Sequence, residues 1–210
     1  MSTRERHLNS IGLRLAVFTV VYNLAEGGLS MWAGRAADLS TMIGFGLDSF
    51  IESLVAILVA LRLRGRLADE SLTDAKHREH NTLRAVAVTF FLLAAYLAYE
   101  GISGLLGDKD PETSVIGVGV LVASAVVMPL LWWAKLHVGK QLDDPLILAD
   151  AAETKICLLM TFSSLLGLGL LHYTGWAGFD ALAAFAIAGI AIMEGLEAWE
   201  GELEEDCDCH

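Results

Sequence analysis

Thr41-Met-Ile-Gly-Phe-Gly-Leu-Asp48-Ser-Phe-Ile-Glu52-Ser-Leu-Val-Ala-Ile-Leu-Val-Ala-Leu61 is the stretch that decides the class of this molecule. Apart from Asp48 and Glu52 it is apolar or small, and it is long enough to cross a bilayer core of ~30 Å, which takes about 20 helical residues. Residues four apart lie one above the other on a helix, so the two carboxylates share a face. An ionised side chain at bilayer depth costs roughly 2.5–3.5 kcal/mol on insertion scales, and a stacked like-charged pair costs more. Such a pair is kept where something cationic regularly comes to it, and a metal ion or a proton fits.

The rest of the chain agrees with a membrane setting. Its 210 residues are 55% hydrophobic, with a mean hydropathy of +0.54. Five further segments resemble the first in length and apolarity, giving expected spans at about 11–33, 40–62, 83–106, 114–138, 146–172 and 178–199. They are rich in Leu, Ala, Gly and Val and poor in alternation, so the expected fold is an all-α integral membrane protein with six transmembrane helices. The expected organisation is a cytoplasmic tail at 1–10, a transport domain at 11–200 and an acidic Cys/His tail at 201–210. The first segment carries Asn23 and Glu26 and lacks a small-residue cleavage site, so it does not read as a signal peptide. Pro129 should kink the fourth span or mark a local break. Glycines such as Gly27, Gly28, Gly44, Gly46, Gly119 and Gly189 read as packing residues.

Basic residues orient the chain. Arg4, Arg6, Arg14, Arg62, Arg64, Arg66, Lys76, Arg78, Arg84, Lys135 and Lys140 fall on the side of the N-terminal tail and of the loops after the second and fourth spans; only Arg35 and Lys109 fall opposite. Eleven against two places both termini in the cytoplasm. The net charge of −12 arises from intramembrane carboxylates and the acidic tail, and no nucleic-acid partner is expected.

A second acidic pair opens the fifth span in Asp150-Ala-Ala-Glu153-Thr-Lys-Ile-Cys157. Positions 150, 153 and 157 share one helical face, offering two carboxylates and a thiol to a divalent cation. Alternatively, Asp150 and Glu153 cap the helix at the membrane interface. Asn23 and Glu26, one turn apart in the first span, are accessory candidates as outer ligands, proton acceptors or interhelical anchors. His77 and His80 read as a solvated loop, and His137 and His172 as interfacial. Cys207, Cys209 and His210 close the chain and could collect a thiophilic metal, although their spacing is too short for a zinc-finger knuckle.

Taken together, "YNLAEGG" at 22–28, "FGLDSFIE" at 45–52, "FFLLAAYLAYE" at 90–100, "VMPLLWWAK" at 127–135, "DAAETKIC" at 150–157 and "EGLEAWEGE" at 194–202 resemble the cation diffusion facilitator family. The resemblance is to its short members, which lack the cytoplasmic C-terminal domain. It implies proton-driven export of divalent transition metals, usually by a homodimer. It also implies a ligand pair in the second span, matched by Asp48 and Glu52, and a His/Asp pair in the fifth. One register puts Ala149 where that histidine would stand and Glu153 as the acid; the other pairs Glu153 with Cys157. A histidine accompanies zinc preference in the family, whereas oxygen-rich sites accept manganese or iron.

We therefore expect a transporter rather than an enzyme, with no catalytic or cofactor-binding residues. Its metal site is expected from Asp48, Glu52, Asp150, Glu153 and Cys157, in the bacterial inner membrane. Zinc is the foremost substrate, with cadmium, iron, manganese and cobalt as others, and protons are the counter-ion. The rivals are a metal-binding membrane sensor or partner subunit that does not transport, and an exporter of organic cations.

Overall fold

In a computed structural model that describes residues 3–36, 40–68, 72–106, 115–174 and 178–200, each apolar run is one long helix: α1 (Thr3–Ala36), α2 (Ser40–Leu67), α3 (Leu72–Leu106), α4 (Val115–Leu142), α5 (Pro145–Thr174) and α6 (Gly178–Glu200). No strand occurs among the described residues. Among the described residues, four helices, α1 to α4, are long and apolar enough to cross a membrane. Helix α1 begins at Thr3, two turns before its apolar stretch, and α2 and α4 run past the expected span ends to Leu67 and Leu142. Helix α4 is continuous through Pro129, so the local break expected there is absent. Packed neighbours in a membrane bundle can satisfy the carbonyl that a proline leaves without its partner.

The bundle is apolar outside and partly polar inside, the reverse of a water-soluble domain. Val21, Leu61, Leu92, Leu130 and Trp133 are exposed, whereas Asn23, Glu26, Asp48, Ser49, Glu52, Lys135, Asp150, Glu153 and Thr154 are buried. Surrounding them is a core that includes Val55, Val86, Phe90, Ile156 and Ala191. The strongest pairings are α1 with α2, α3 with α6 and α4 with α5, and α5 also meets α2, α3 and α6. The start of α1 meets the end of α4 through Arg4 and Gln141, and Arg84 early in α3 lies 5.2 Å over the Trp199 ring late in α6. The first turn of α1 and the last turn of α6 therefore lie at one end of the bundle.

Two local devices position the polar interior. Gly27 and Gly46 let α1 and α2 touch backbone to backbone: a Cβ on Gly27 would stand 3.0 Å from the Gly46 carbonyl, and one on Gly46 2.9 Å from that of Gly27. This contact sets Glu26 against Ser49, three residues further along α2. The second device is the α4–α5 turn. Asp143 takes a positive φ of 48°, a geometry Asp tolerates. Asp144 then caps α5, its Oδ1 accepting from the Leu146 and Ile147 amides at 3.0 and 3.3 Å, with Pro145 in the first helical position, where no amide is needed. Arg66 at the end of α2 pairs with the other oxygen of Asp144, tying α2 to this turn.

Asp144→Ala removes the cap and the Arg66 partner together. A cap alone is worth about 1 kcal/mol, up to about 2, so the thermal unfolding midpoint of the purified protein in detergent should fall by several degrees. Asp144→Asn, which can still cap, should lose less. Equal midpoints for wild type and Asp144→Ala would show that α5 is positioned by packing alone.

Candidate metal site

Helix α2 presents Phe45, Asp48, Ser49, Glu52, Ser53, Val55, Ala56 and Val59 to the interior, so the two acids of its amphipathic stripe face inward with the apolar core. Opposite them α5 presents Asp150, Glu153, Thr154 and Cys157, and the capping alternative for the two acids falls away. The cap is Asp144; Asp150 and Glu153 lie six and nine residues beyond it and are buried at 1% and 0% relative exposure.

A residue from α4 separates the acids into two groups. Lys135, buried to the same degree, places its ammonium 2.9 Å from Asp150 Oδ1, 2.7 Å from Thr154 Oγ1 and 3.3 Å from Glu52 Oε1. An ammonium has three donors and no acceptor, so these three contacts satisfy it. Thr154, while accepting from Lys135, turns its own hydroxyl toward Glu52 Oε1 and the Asp150 carbonyl. Lys135 thus bridges the acids of α2 and α5. Lys135 therefore does not belong with the basic residues that orient the loops: its charge is spent inside the bundle.

The other group has no such partner. Asp48 Oδ1 and Oδ2, Glu153 Oε1 and Oε2, and Glu52 Oε2 are buried and make no hydrogen bond. Cys157 is buried and in no disulfide among the described residues, and its thiol lies beside Asp48. No three of the His, Cys, Asp and Glu side chains among the described residues are gathered into a ready-made metal cage. The donors are adjacent but not convergent, with Glu52 and Asp150 turned to the lysine.

Helix α1 adds a third wall. The Ser49 hydroxyl lies 3.1 Å from Glu26 Oε2 and 3.0 Å from the Phe45 carbonyl. Glu26 Oε1 and both polar atoms of the Asn23 amide are buried without a hydrogen bond. Ser124 of α4 and Thr161 of α5, not anticipated from the sequence, meet at 3.2 Å close by. The side chains of His77, His80 and His172, and all of Cys207, Cys209 and His210, lie outside the described residues.

Residues 13–200 match the family described as the cation efflux transmembrane domain. An uncharacterized transporter of Methanocaldococcus jannaschii is 25% identical over 179 residues, covering 82% of this chain and 62% of that protein. The chain thus spans under two thirds of the length of this relative.

The two groups of acids should differ in what they do for stability. Asp48→Asn breaks no hydrogen bond, and its amide can donate to the neighbouring carboxylates, so the melting temperature should hold or rise. Asp150→Ala leaves Lys135 short of a partner, and breaking a buried pair from one side costs about 3–5 kcal/mol. Thermal unfolding of both variants in one detergent checks this; an Asp48→Asn protein less stable than Asp150→Ala would contradict the division.

Proposed function

The chain belongs to the cation efflux family, and from that membership and the buried carboxylates we propose that it exports divalent transition-metal ions in exchange for protons. The observation that supports this most directly is the set of five buried carboxylate oxygens on Asp48, Glu52 and Glu153 without hydrogen-bond partners. Buried polar groups in proteins are ordinarily paired, and buried charge is tolerated when compensated. A divalent ion or protons would supply that compensation.

In this reading Asp48, Glu52 and Glu153 are the oxygen ligands and Cys157 is a soft fourth, a donor set able to take zinc or cadmium as well as harder ions. Glu26 and Asn23 stand behind them on α1. All six helices span the membrane, with both termini in the cytoplasm, as the basic residues at that end of the bundle suggest. Clustered acids cannot all stay ionised without a cation, so metal and protons exclude one another at the site. Rocking of the helices would expose the site to each side in turn, metal leaving outward as protons enter. A homodimer in the bacterial inner membrane is part of the same reading, its interface made within the membrane. The Cys207, Cys209 and His210 tail would only gather metal at the cytoplasmic mouth.

The experiment is metal-driven proton flux in liposomes holding the purified protein, with zinc, cadmium, manganese and iron(II) compared. Zinc or cadmium should move protons in the wild type, and Asp48→Asn and Glu153→Gln should each abolish flux and metal binding while remaining folded. Metal binding without flux would favour the sensor over the transporter. Wild-type flux in both variants would end the carboxylate site.

A further inference from the structure

The ammonium that bridges the acids of α2 and α5 is a cation already inside the proposed site. Its position along the bundle is as telling as its contacts. Glu52 is one turn nearer than Asp48 to the end of the bundle where α1 starts and α6 ends, about 6 Å along the helix. Asp150 is likewise nearer than Cys157 by seven residues, about 10 Å. The Lys135–Glu52–Asp150–Thr154 group therefore forms a layer across that end of the site, while Asp48 and Cys157 lie deeper.

We propose that Lys135 is a tethered competitor of the transported ion, bound to Glu52 in its absence and displaced when a divalent cation takes that carboxylate. Asp150 is then a positioning residue: with Thr154 it holds the lysine in place, and it does not ligate metal. The proposal rests on the reading of Asp48, Glu52 and Glu153 as ligands, and it explains two observations that reading leaves open. The acids are adjacent yet form no cage, because Lys135 draws one oxygen of Glu52 away toward Asp150. A lysine is also buried where the chain could have kept an apolar residue, with every donor matched to an acceptor.

Several consequences follow for selectivity. A cation must offer Glu52 more than an ammonium at hydrogen-bond distance does. Doubly charged ions that coordinate carboxylate oxygen directly meet that demand, while monovalent ions compete poorly against a tethered partner. Once displaced, the ammonium keeps Asp150 and Thr154 as partners, so it need not leave the bundle. Its charge then stands beside the bound metal and works against holding it too tightly, which suits a site that must also release its ion.

The test is calorimetric titration of the full chain in detergent with cadmium chloride at one pH. The proteins compared are wild type, Lys135→Met, Lys135→Arg, the double variant Lys135→Met/Asp150→Asn, and Asp48→Asn. Loss of the competing charge should tighten cadmium binding by about tenfold or more in Lys135→Met. Lys135→Arg, which keeps the charge, should remain near wild type. The double variant removes one charge of each sign, so it covers the case in which Lys135→Met fails to fold, and it too should bind more tightly. A lysine that merely braces helices would give weaker binding in these proteins. Wild-type or weaker affinity in the folded lysine-free variants, with Asp48→Asn still defective, would overturn the competitor while leaving the metal site standing. Absence of cadmium binding in wild type and lysine-free proteins alike would overturn both.

Discussion

Carboxylates buried among apolar helices must find a positive partner, and much of this structure can be read as a response to that demand. Water would answer it in a soluble protein, but the exterior here is built of Val21, Leu61, Leu92 and Leu130, and the acids face inward from it. Hydrogen-bond donors answer it partly: Ser49 serves Glu26, and Thr154 serves Glu52. One internal cation serves Glu52 and Asp150. What remains unanswered, on Asp48, Glu153 and half of Glu52 with one oxygen of Glu26 behind them, is where the proposed substrate would bind. The division of labour among the acids is therefore set by which partners the helices can bring, and not by the acids' own chemistry, which is nearly the same throughout.

Bringing those partners together depends on backbone placement more than on the site residues. The Gly27–Gly46 contact lets α1 approach α2 closely enough for Glu26 to meet Ser49; any side chain at either glycine would strike the opposing carbonyl. The Asp144 cap starts α5 at Pro145, and that start fixes which face of α5 turns Asp150, Glu153 and Cys157 inward. Arg66 couples the same turn to α2, so the two helices that supply the proposed ligands are linked at one end as well as through the core. Lys155 extends the arrangement outward, pairing with Glu194 of α6 at 3.2 Å.

Much of this was legible in the residues, for physical reasons. Long apolar runs have few structural options, so the helical class and the approximate limits of the helices followed from composition and length. Acids at i and i+4, or at i, i+3 and i+7, must share a face, so the inward stripes of α2 and α5 were visible before any packing was known. What the sequence could not supply was the third partner. Lys135 sits only seven residues from the end of α4, where a lysine ordinarily reaches to the membrane surface, and nothing local marks it as turned inward. The available signal was quantitative: several buried acids on two helices call for a buried cation, and Lys135 follows the apolar run of α4 directly. The same blind spot made Asp150 look equivalent to Glu153. Three residues separate them along α5, yet one meets an ammonium and the other meets no donor. The cap is hidden for a different reason: nothing local separates Asp143 from Asp144 until the turn geometry distinguishes them.

A charge count shows why the internal cation matters to a proton-coupled reading. Asp48, Glu52, Asp150 and Glu153 bring four negative charges when ionised, and Lys135 offsets one. A bound divalent ion offsets two more, leaving a single surplus charge beside the metal, which one proton can neutralise. Without the lysine the same ion would leave two, and the site would hold either metal or protons more stubbornly. Exchange requires that neither form be too stable, because each must be expelled by the other at concentrations a cell can reach. A fixed positive charge at the edge of an acidic site brings the two states closer in free energy, which four carboxylates alone would not do. In this view the lysine is part of the exchange chemistry even though it ligates nothing, and its retention in the bundle has the same electrostatic origin as that of the acids it contacts.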